Sequence, residues 1–319
     1  MNSKPIIIVA GDPKSIFFEI FFKTIKKKRI KSPLILICNI NLLKKSMHIY
    51  NCKKKINFLK DKKLDSKILN NETINILNIE INTANKIENH IYRDYIKKSF
   101  ETAFKLIQKG LTYKLLNGPI NKKKFLNKKF PGMTEFISSY FKKNNTGMLI
   151  YNKKLSVCPL TTHLPLKQVA NKITKKLISK KIELINDFFI RQLKIKPKIA
   201  VTGLNPHCES ISKVNEDEFI ILPVIQNKIK KGINVNGPYP ADTIFLKKNR
   251  KKFNVILGMY HDQVLSPIKT LFEYDAINIT MGLPFLRVTP DHGPNEKMVN
   301  KNLSNPTSLY KALEFLDKN

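Results

Sequence analysis

The chain has 319 residues, 42% hydrophobic and 9% aromatic, with 58 basic against 24 acidic residues and a formal net charge of +34. That length and composition exclude a disordered polymer and leave room for one large or two medium cores. The longest apolar runs, such as Pro5–Ala10, Pro33–Cys38 and Val255–Met259, fall well short of the roughly 20 residues of a membrane-spanning helix. Cys38, Cys52, Cys158 and Cys208 have neither CxxC spacing nor the density of a disulfide scaffold, so they read as free thiols in a reducing compartment. The first residues lack a secretory apolar stretch and lead straight into a strand, which predicts a cytoplasmic protein.

Such a charge raises a nucleic-acid partner as a sharp reading. Two features oppose it. Only Arg29, Arg93, Arg191, Arg250 and Arg287 are arginines, although arginine dominates base and planar phosphate recognition. The lysines are also spread along the whole chain rather than gathered in one patch. Together with abundant Ile and Asn, no Trp and eleven Gly, they read as an AT-rich coding bias. Their field would still attract a small anionic substrate.

In chain order, Pro5–Ala10 predicts a buried strand, Gly11-Asp12-Pro13 a turn, Ser15–Lys28 a helix and Pro33–Ile40 a second strand. Residues 41–90 read as polar and irregular. Tyr92–Lys109 predicts a helix closed by Gly110. Lys114–Leu116 leads as a strand into Asn117-Gly118-Pro119-Ile120. Lys167–Leu193 predicts one or two helices, and Ile199–Gly203 a strand delivering Asn205-Pro206-His207. Glu216–Lys231 predicts a helix broken near Pro223. Val255–Tyr260 predicts a strand delivering His261, and Ala276–Thr280 another before Gly282. Alternating elements of this length imply an α/β fold with a mostly parallel sheet, whose ligands gather beyond the carboxyl ends of its strands.

His163, His207 and His261 each sit where a predicted strand end runs into a polar loop. Three imidazoles with an open fourth position make a catalytic metal site, and Thr162, Asn205 and Asp262 stand beside them as hydrogen-bonding support. The spacing alone leaves this open against three hydrogen-bonded structural histidines. Cys208 follows His207 directly, and neighbours in an extended segment point to opposite faces, so it is not taken as a ligand. Lys269, Asn278 and Arg287 form a second group suited to a carboxylate or phosphate. Seven of the eleven glycines, Gly11, Gly118, Gly132, Gly203, Gly237, Gly282 and Gly293, fall in these clusters, where positive φ or close ligand approach is expected. No GxGxxG or Walker sequence is present.

Taken in order, Gly11-Asp12-Pro13, Asn117-Gly118-Pro119-Ile120-Asn121-Lys122, Gly132-Met133-Thr134-Glu135, Thr162-His163-Leu164-Pro165-Leu166 and Gly203-Leu204-Asn205-Pro206-His207 carry a resemblance. So do Gly237-Pro238-Tyr239-Pro240-Ala241-Asp242-Thr243, Met259-Tyr260-His261-Asp262-Gln263, Gly282-Leu283-Pro284-Phe285-Leu286-Arg287 and Asp291-His292-Gly293. The chain resembles the 4-hydroxythreonine-4-phosphate dehydrogenase (PdxA) family of pyridoxal phosphate biosynthesis.

The resemblance implies two α/β lobes of mostly parallel sheet, like the isocitrate and isopropylmalate dehydrogenases, with an interlobe cleft. The lobes are expected at 1–130 plus 266–319 and at 131–265, the second holding the metal ligands and dimer contacts. It implies His163, His207 and His261 as ligands of one divalent cation, with zinc first and magnesium or cobalt as alternatives. It implies Thr134, Lys269, Asn278 and Arg287 as substrate contacts, His292 and Gly293 as cofactor contacts, and Asp262 in a supporting or proton-transfer role. NAD or NADP, a phosphorylated amino-acid substrate and a homodimer sharing its active sites complete the expectation, with no nucleic acid and no membrane.

Three departures stand out. Met133 occupies the place of a family histidine that contacts substrate, and it cannot replace that charge or its hydrogen bonds. The family's glycines after Asp12-Pro13 are missing. Pro294-Asn295 and Val299-Asn300 replace the family's Thr-Ala and Ala-Gly in a loop that in related dehydrogenases cradles the adenine end of NAD. The expected activity is oxidation of 4-phosphohydroxythreonine. A sister enzyme for another phosphorylated four-carbon hydroxy acid is kept as an alternative, as is a decayed or basic nucleic-acid-binding protein.

Overall fold

The computed structural model describes residues 4–27, 29–60, 69–81, 88–127, 129–209 and 215–319. The chain forms two units, Met1–Phe136 with Pro284–Asn319, and Ile137–Leu283. Their strands, numbered along the chain, are β1 (Ile6–Val9), β2 (Leu34–Cys38), β3 (Ile56–Phe58), β4 (Ile74–Asn78), β5 (Lys114–Asn117), β6 (Gly147–Tyr151), β7 (Ser156–Pro159), β8 (Ile199–Thr202), β9 (Val235–Tyr239), β10 (Val255–Gly258), β11 (Ile277–Met281) and β12 (Leu286–Pro290).

In the first unit the strand order is β3-β4-β2-β1-β5-β12, and every pairing is parallel. The short apolar runs Ile6–Val9 and Leu34–Cys38 are buried at every position, as expected of parallel strands covered on both faces. Helices Asn89–Gln108 and Thr307–Lys318 pack on this sheet, and Phe17–Lys27 packs on Thr307–Lys318. The helix predicted at Tyr92–Lys109 is present and starts earlier, at Asn89. It ends at Gly110, whose φ is +77°, with Gly110 N–H donating to Ile107 O at 2.9 Å and Leu111 N–H to Leu106 O at 3.2 Å. That paired closure is the left-handed glycine stop.

The stretch read as irregular at 41–90 holds more order than its pattern shows, although 61–68 and 82–87 lie outside the described residues. Helix Ile40–Ile49 buries only Leu43, so it leaves almost no apolar period to read. Its start is fixed instead by Asn39, whose side chain accepts from Asn41 N–H and Leu42 N–H at 3.0 and 3.2 Å. Strand β4 hides a polar residue, Asn75, in its interior. Its Nδ2 donates to Leu34 O and Asn70 O, and its Oδ1 accepts from Asn57, which removes the cost of burial.

The second unit has the order β11-β6-β7-β10-β8-β9. Strand β6 runs antiparallel to β11 and β7, whereas β7, β10, β8 and β9 pair in parallel. The region predicted helical from Lys167 opens as two single turns, Leu166–Gln168 and Ala170–Lys172, pinned by buried Val169 and Ile173. The continuous helix runs Lys175–Leu193, with Thr174 Oγ1 accepting from Leu177 N–H at 3.2 Å. The helix expected to break near Pro223 runs on without interruption but changes its winding there. A wide turn over Asp217–Ile221, in which Leu222 N–H bonds Asp217 O, gives way to the helix Leu222–Lys230 with Pro223 in its first turn. There the missing N–H costs nothing.

One expectation is corrected. His261 does not enter a loop but begins the helix His261–Phe272. Tyr260 supplies no side-chain cap and Pro267 lies inside the helix, so both usual signals are missing. Asn39→Ala should lower unfolding stability by about 1–2 kcal/mol. The check is a shifted urea midpoint with an unchanged slope.

Candidate active site

In the second unit the chemistry-bearing loops leave three adjacent parallel strands. Strand β10 lies between β7 and β8, so the segments carrying His163, His261 and His207 all emerge at one carboxyl edge. Side chains sew that edge together. Thr161 Oγ1 donates to Met259 O at 2.8 Å. Gln263 Oε1 accepts from Met259 N–H at 2.7 Å and Thr202 Oγ1–H at 2.8 Å, while its Nε2 donates to Gly203 O at 2.8 Å. One amide thus joins the β10 exit to the β8 exit.

The rings of His163 and His261 lie 6.2 Å apart, centre to centre. Two imidazoles sharing one ion at about 2.1 Å hold their ring centres roughly 5 Å apart, so this pair fits a common cation after a small side-chain turn. His261 Nδ1 sits 2.6 Å from Asp262 Oδ1. With the proton on Nδ1, that contact leaves Nε2 as the ligating atom. Among the described residues no three His, Cys, Asp or Glu side chains are arranged to hold a metal, so His207 does not complete the set.

His207 is held in an unusual conformation. Its φ is +57° and that of Cys208 is +63°, two successive non-glycine residues in the left-handed region, a strain that persists only where neighbours impose it. Buried Asp217 is the imposing group. Its carboxylate accepts from Leu204 N–H at 2.7 Å, Asn205 N–H at 3.1 Å and Asn205 Nδ2 at 2.8 Å. Gly203 makes room for it, because a Cβ there would lie 2.6 Å from both Asp217 Oδ1 and Cys208 Sγ. Burial, reinforced by the Asp217 charge, pushes the Cys208 thiol up to about 11, so it stays protonated and is a poor ligand.

Lys269 sits in the last turn of the helix that His261 begins, about 12 Å along its axis. Asn278, on β11 opposite Ile150, buries an Oδ1 with no hydrogen-bond partner among the described residues.

In the first unit, Arg287 is only 3% exposed and its Nε donates to Asn117 Oδ1 at 2.9 Å, next to β5 where its own strand pairs. Desolvation lowers its pKa to about 10, opposed by the charge of Glu135, and it remains a cation at neutral pH. Lys122 is pushed below the ordinary lysine range, first by desolvation and then by Arg287, with Glu135 and Asp291 opposing. Thr134 and Glu135 lie in the first turn of helix Met133–Tyr140, behind a buried Met133. No role for Asn117, Lys122, Glu135, Gln263 or Asp217 is legible in the sequence. Only their packing singles them out.

The loop after β12 is anchored at several points. Glu296 accepts from Asn121 Nδ2 at 3.1 Å and Lys124 Nζ at 3.3 Å, which holds its carboxyl below the usual range. Ile16 N–H donates to Pro294 O at 3.1 Å. His292 Nδ1 lies 3.0 Å from Gly293 O. Gly293 is exposed, has no positive φ, and a Cβ there would meet nothing within 4 Å. Steric need therefore does not explain this glycine, although the open space leaves its backbone approachable by a cofactor.

Asp217→Ala should cost about 2–4 kcal/mol, because three N–H donors lose a buried acceptor. Urea unfolding checks the loss, and a midpoint equal to the parent's would refute the anchoring role.

The family model described as "Pyridoxal phosphate biosynthetic protein PdxA" matches residues 29–316. A protein from Sulfurihydrogenibium sp. (strain YO3AOP1) named 4-hydroxythreonine-4-phosphate dehydrogenase is 34% identical over 97% of this chain and 96% of its own. A protein from Oceanobacillus iheyensis bearing the provisional name D-threonate 4-phosphate dehydrogenase is 30% identical over 98% of this chain and 97% of its own. The crystal structure of 4-hydroxythreonine-4-phosphate dehydrogenase from Klebsiella pneumoniae superposes with a TM-score of 0.83 at 26% identity, covering 98% of both chains. With its motifs in family order and a match of this extent, the chain belongs to the PdxA family.

Proposed function

We propose that the protein oxidises 4-phosphohydroxy-L-threonine with NAD or NADP and one divalent cation, zinc first, with magnesium or cobalt as alternatives. The product, 2-amino-3-oxo-4-phosphooxybutanoate, carries its ketone β to the carboxylate and loses carbon dioxide to give 3-amino-2-oxopropyl phosphate, a step toward pyridoxal 5'-phosphate. The observation that carries this reading is Arg287, a buried guanidinium fixed on Asn117 in a chain that matches the family nearly end to end.

A buried cation is poorly solvated, and an anionic substrate group restores what burial removed. Arg287 and Lys269 are the groups assigned to the substrate's phosphate and carboxylate, and Thr134 and Asn278 those assigned to its other polar groups. A bound cation on the histidines would acidify the substrate hydroxyl, and a bound nicotinamide beside His292 and Gly293 would accept the hydride. Asp262 fixes the tautomer of His261 and is the nearest candidate for moving a proton there. Among the described residues the four cysteines are free and no helix is long and apolar enough to cross a membrane. These features support the cytoplasmic placement.

We further propose a homodimer in which His207 of one subunit joins His163 and His261 of its partner. The support is the pairing of only two of the three imidazoles within one chain.

Purified protein given 4-phosphohydroxythreonine and NAD should form NADH, lose activity to a chelator and regain it with added zinc, magnesium or cobalt. No NADH under any metal condition would sink the reading. His163→Ala and His207→Ala should each be inactive. Mixed and allowed to exchange subunits, they should recover about a quarter of the parent rate, because half the dimers then hold one intact site. No recovery despite proven exchange would exclude the shared site.

A further inference from the structure

The first unit contains a buried acceptor that nothing among the described residues satisfies. Glu135 Oε2 is shielded from solvent and has no hydrogen-bond partner among the described residues. Buried polar atoms are nearly always paired, so an exception calls for a reason. Its setting makes the exception sharper, since Glu135 lies within electrostatic reach of both Arg287 and Lys122. Oε2 accepts a hydrogen bond from neither cation among the described residues, although such a bond would offset its burial. Arg287 instead spends its Nε on Asn117. Met133, the neighbour two residues earlier, is buried and carries no donor. The arrangement is one open carboxylate oxygen with two cations within electrostatic reach of its carboxylate.

That charge pattern complements a zwitterion. Arg287 suits one of the substrate's anionic groups, and the open oxygen suits a group that only donates. An ammonium has three donors, a full positive charge and no acceptor; a hydroxyl in its place offers one neutral donor and adds lone pairs facing a carboxylate. We infer that Glu135 receives the substrate's α-ammonium and so selects an amino acid over the corresponding hydroxy acid. This rests on the substrate assignment proposed above and narrows it. Among phosphorylated four-carbon acids, 4-phosphohydroxythreonine carries the ammonium, whereas D-threonate 4-phosphate carries a hydroxyl at that carbon. Glu135 is a specificity-determining residue in this scheme and takes no part in the hydride step.

The test is calorimetric binding of both compounds to the full-length protein, with NADH formation measured in parallel. The parent protein should bind 4-phosphohydroxythreonine at least tenfold more tightly than D-threonate 4-phosphate. Glu135→Gln should weaken the amino compound by about 10–100-fold, the size expected for losing a charge-assisted bond, and move the hydroxy compound by less than about threefold. Glu135→Asp, which keeps the charge, should retain the preference and serves as the second variant if the glutamine form does not fold. Equal loss for both compounds would mean that Glu135 merely balances Arg287 and Lys122, and would overturn the inference. So would no loss for either, or a parent protein without preference. Binding of the amino compound without NADH under any metal condition would remove the dehydrogenase reading while the affinity ratio still judged Glu135.

Discussion

The parallel register of β7, β10 and β8 is the constraint on which the second unit's chemistry depends. Parallel strands send all their carboxyl ends to one edge, so three loops separated by dozens of residues leave from neighbouring points. Register alone aligns backbones to within a strand spacing; it does not aim side chains. That second task falls to short polar links. Gln263 spans two strand exits with three hydrogen bonds, Thr161 ties the third, and Asp217 forces the turn that presents His207. Each of these groups is buried or half-buried, where an unmade bond is expensive, so the geometry is held by the cost of leaving it.

The strands were legible in the sequence where they are buried throughout, because Ile6–Val9, Leu34–Cys38 and Val255–Gly258 are continuous apolar runs with little competing pattern. Helix Asn89–Gln108 was legible for the opposite reason, a long apolar period closed by a glycine. What escaped were elements whose stability is tertiary. Helix Ile40–Ile49 buries one side chain, and helix His261–Phe272 lacks a cap and contains a proline. The three histidines were legible as residues set after strands. That the rings of His163 and His261 lie 6.2 Å apart is a matter of distance, which spacing in sequence does not contain.

The first unit shows how little the large net charge has to do with recognition. Most of the lysines lie on the surface, where solvent and salt reduce their effect on any one ligand. Arg287 differs because it is buried and desolvated, and its direction is fixed by Asn117. A cation in that state discriminates by geometry, whereas a surface lysine contributes only to a field. Among the described basic residues, Arg287 is thus one whose environment argues for a ligand.

The replacement at Met133 bears on the same point. A histidine there would add a donor, and at times a positive charge, two residues from Glu135. It would also give the open carboxylate oxygen a local rival to any ligand. Methionine fills the space as an apolar side chain, buried at 6% exposure, and leaves Thr134 and Glu135 as the polar groups of that helix turn. The electrostatic balance around Arg287 then rests on Glu135, while Asp291 shares that part around Lys122. In a low-dielectric setting a carboxylate oxygen without a hydrogen bond prefers a cationic donor to a neutral one. A side chain without a donor at Met133 therefore leaves the ammonium as the fitting partner of Glu135 rather than competing with it. That is why the substitution which first casts doubt on the family's substrate also strengthens the physical case for an amino-acid ligand.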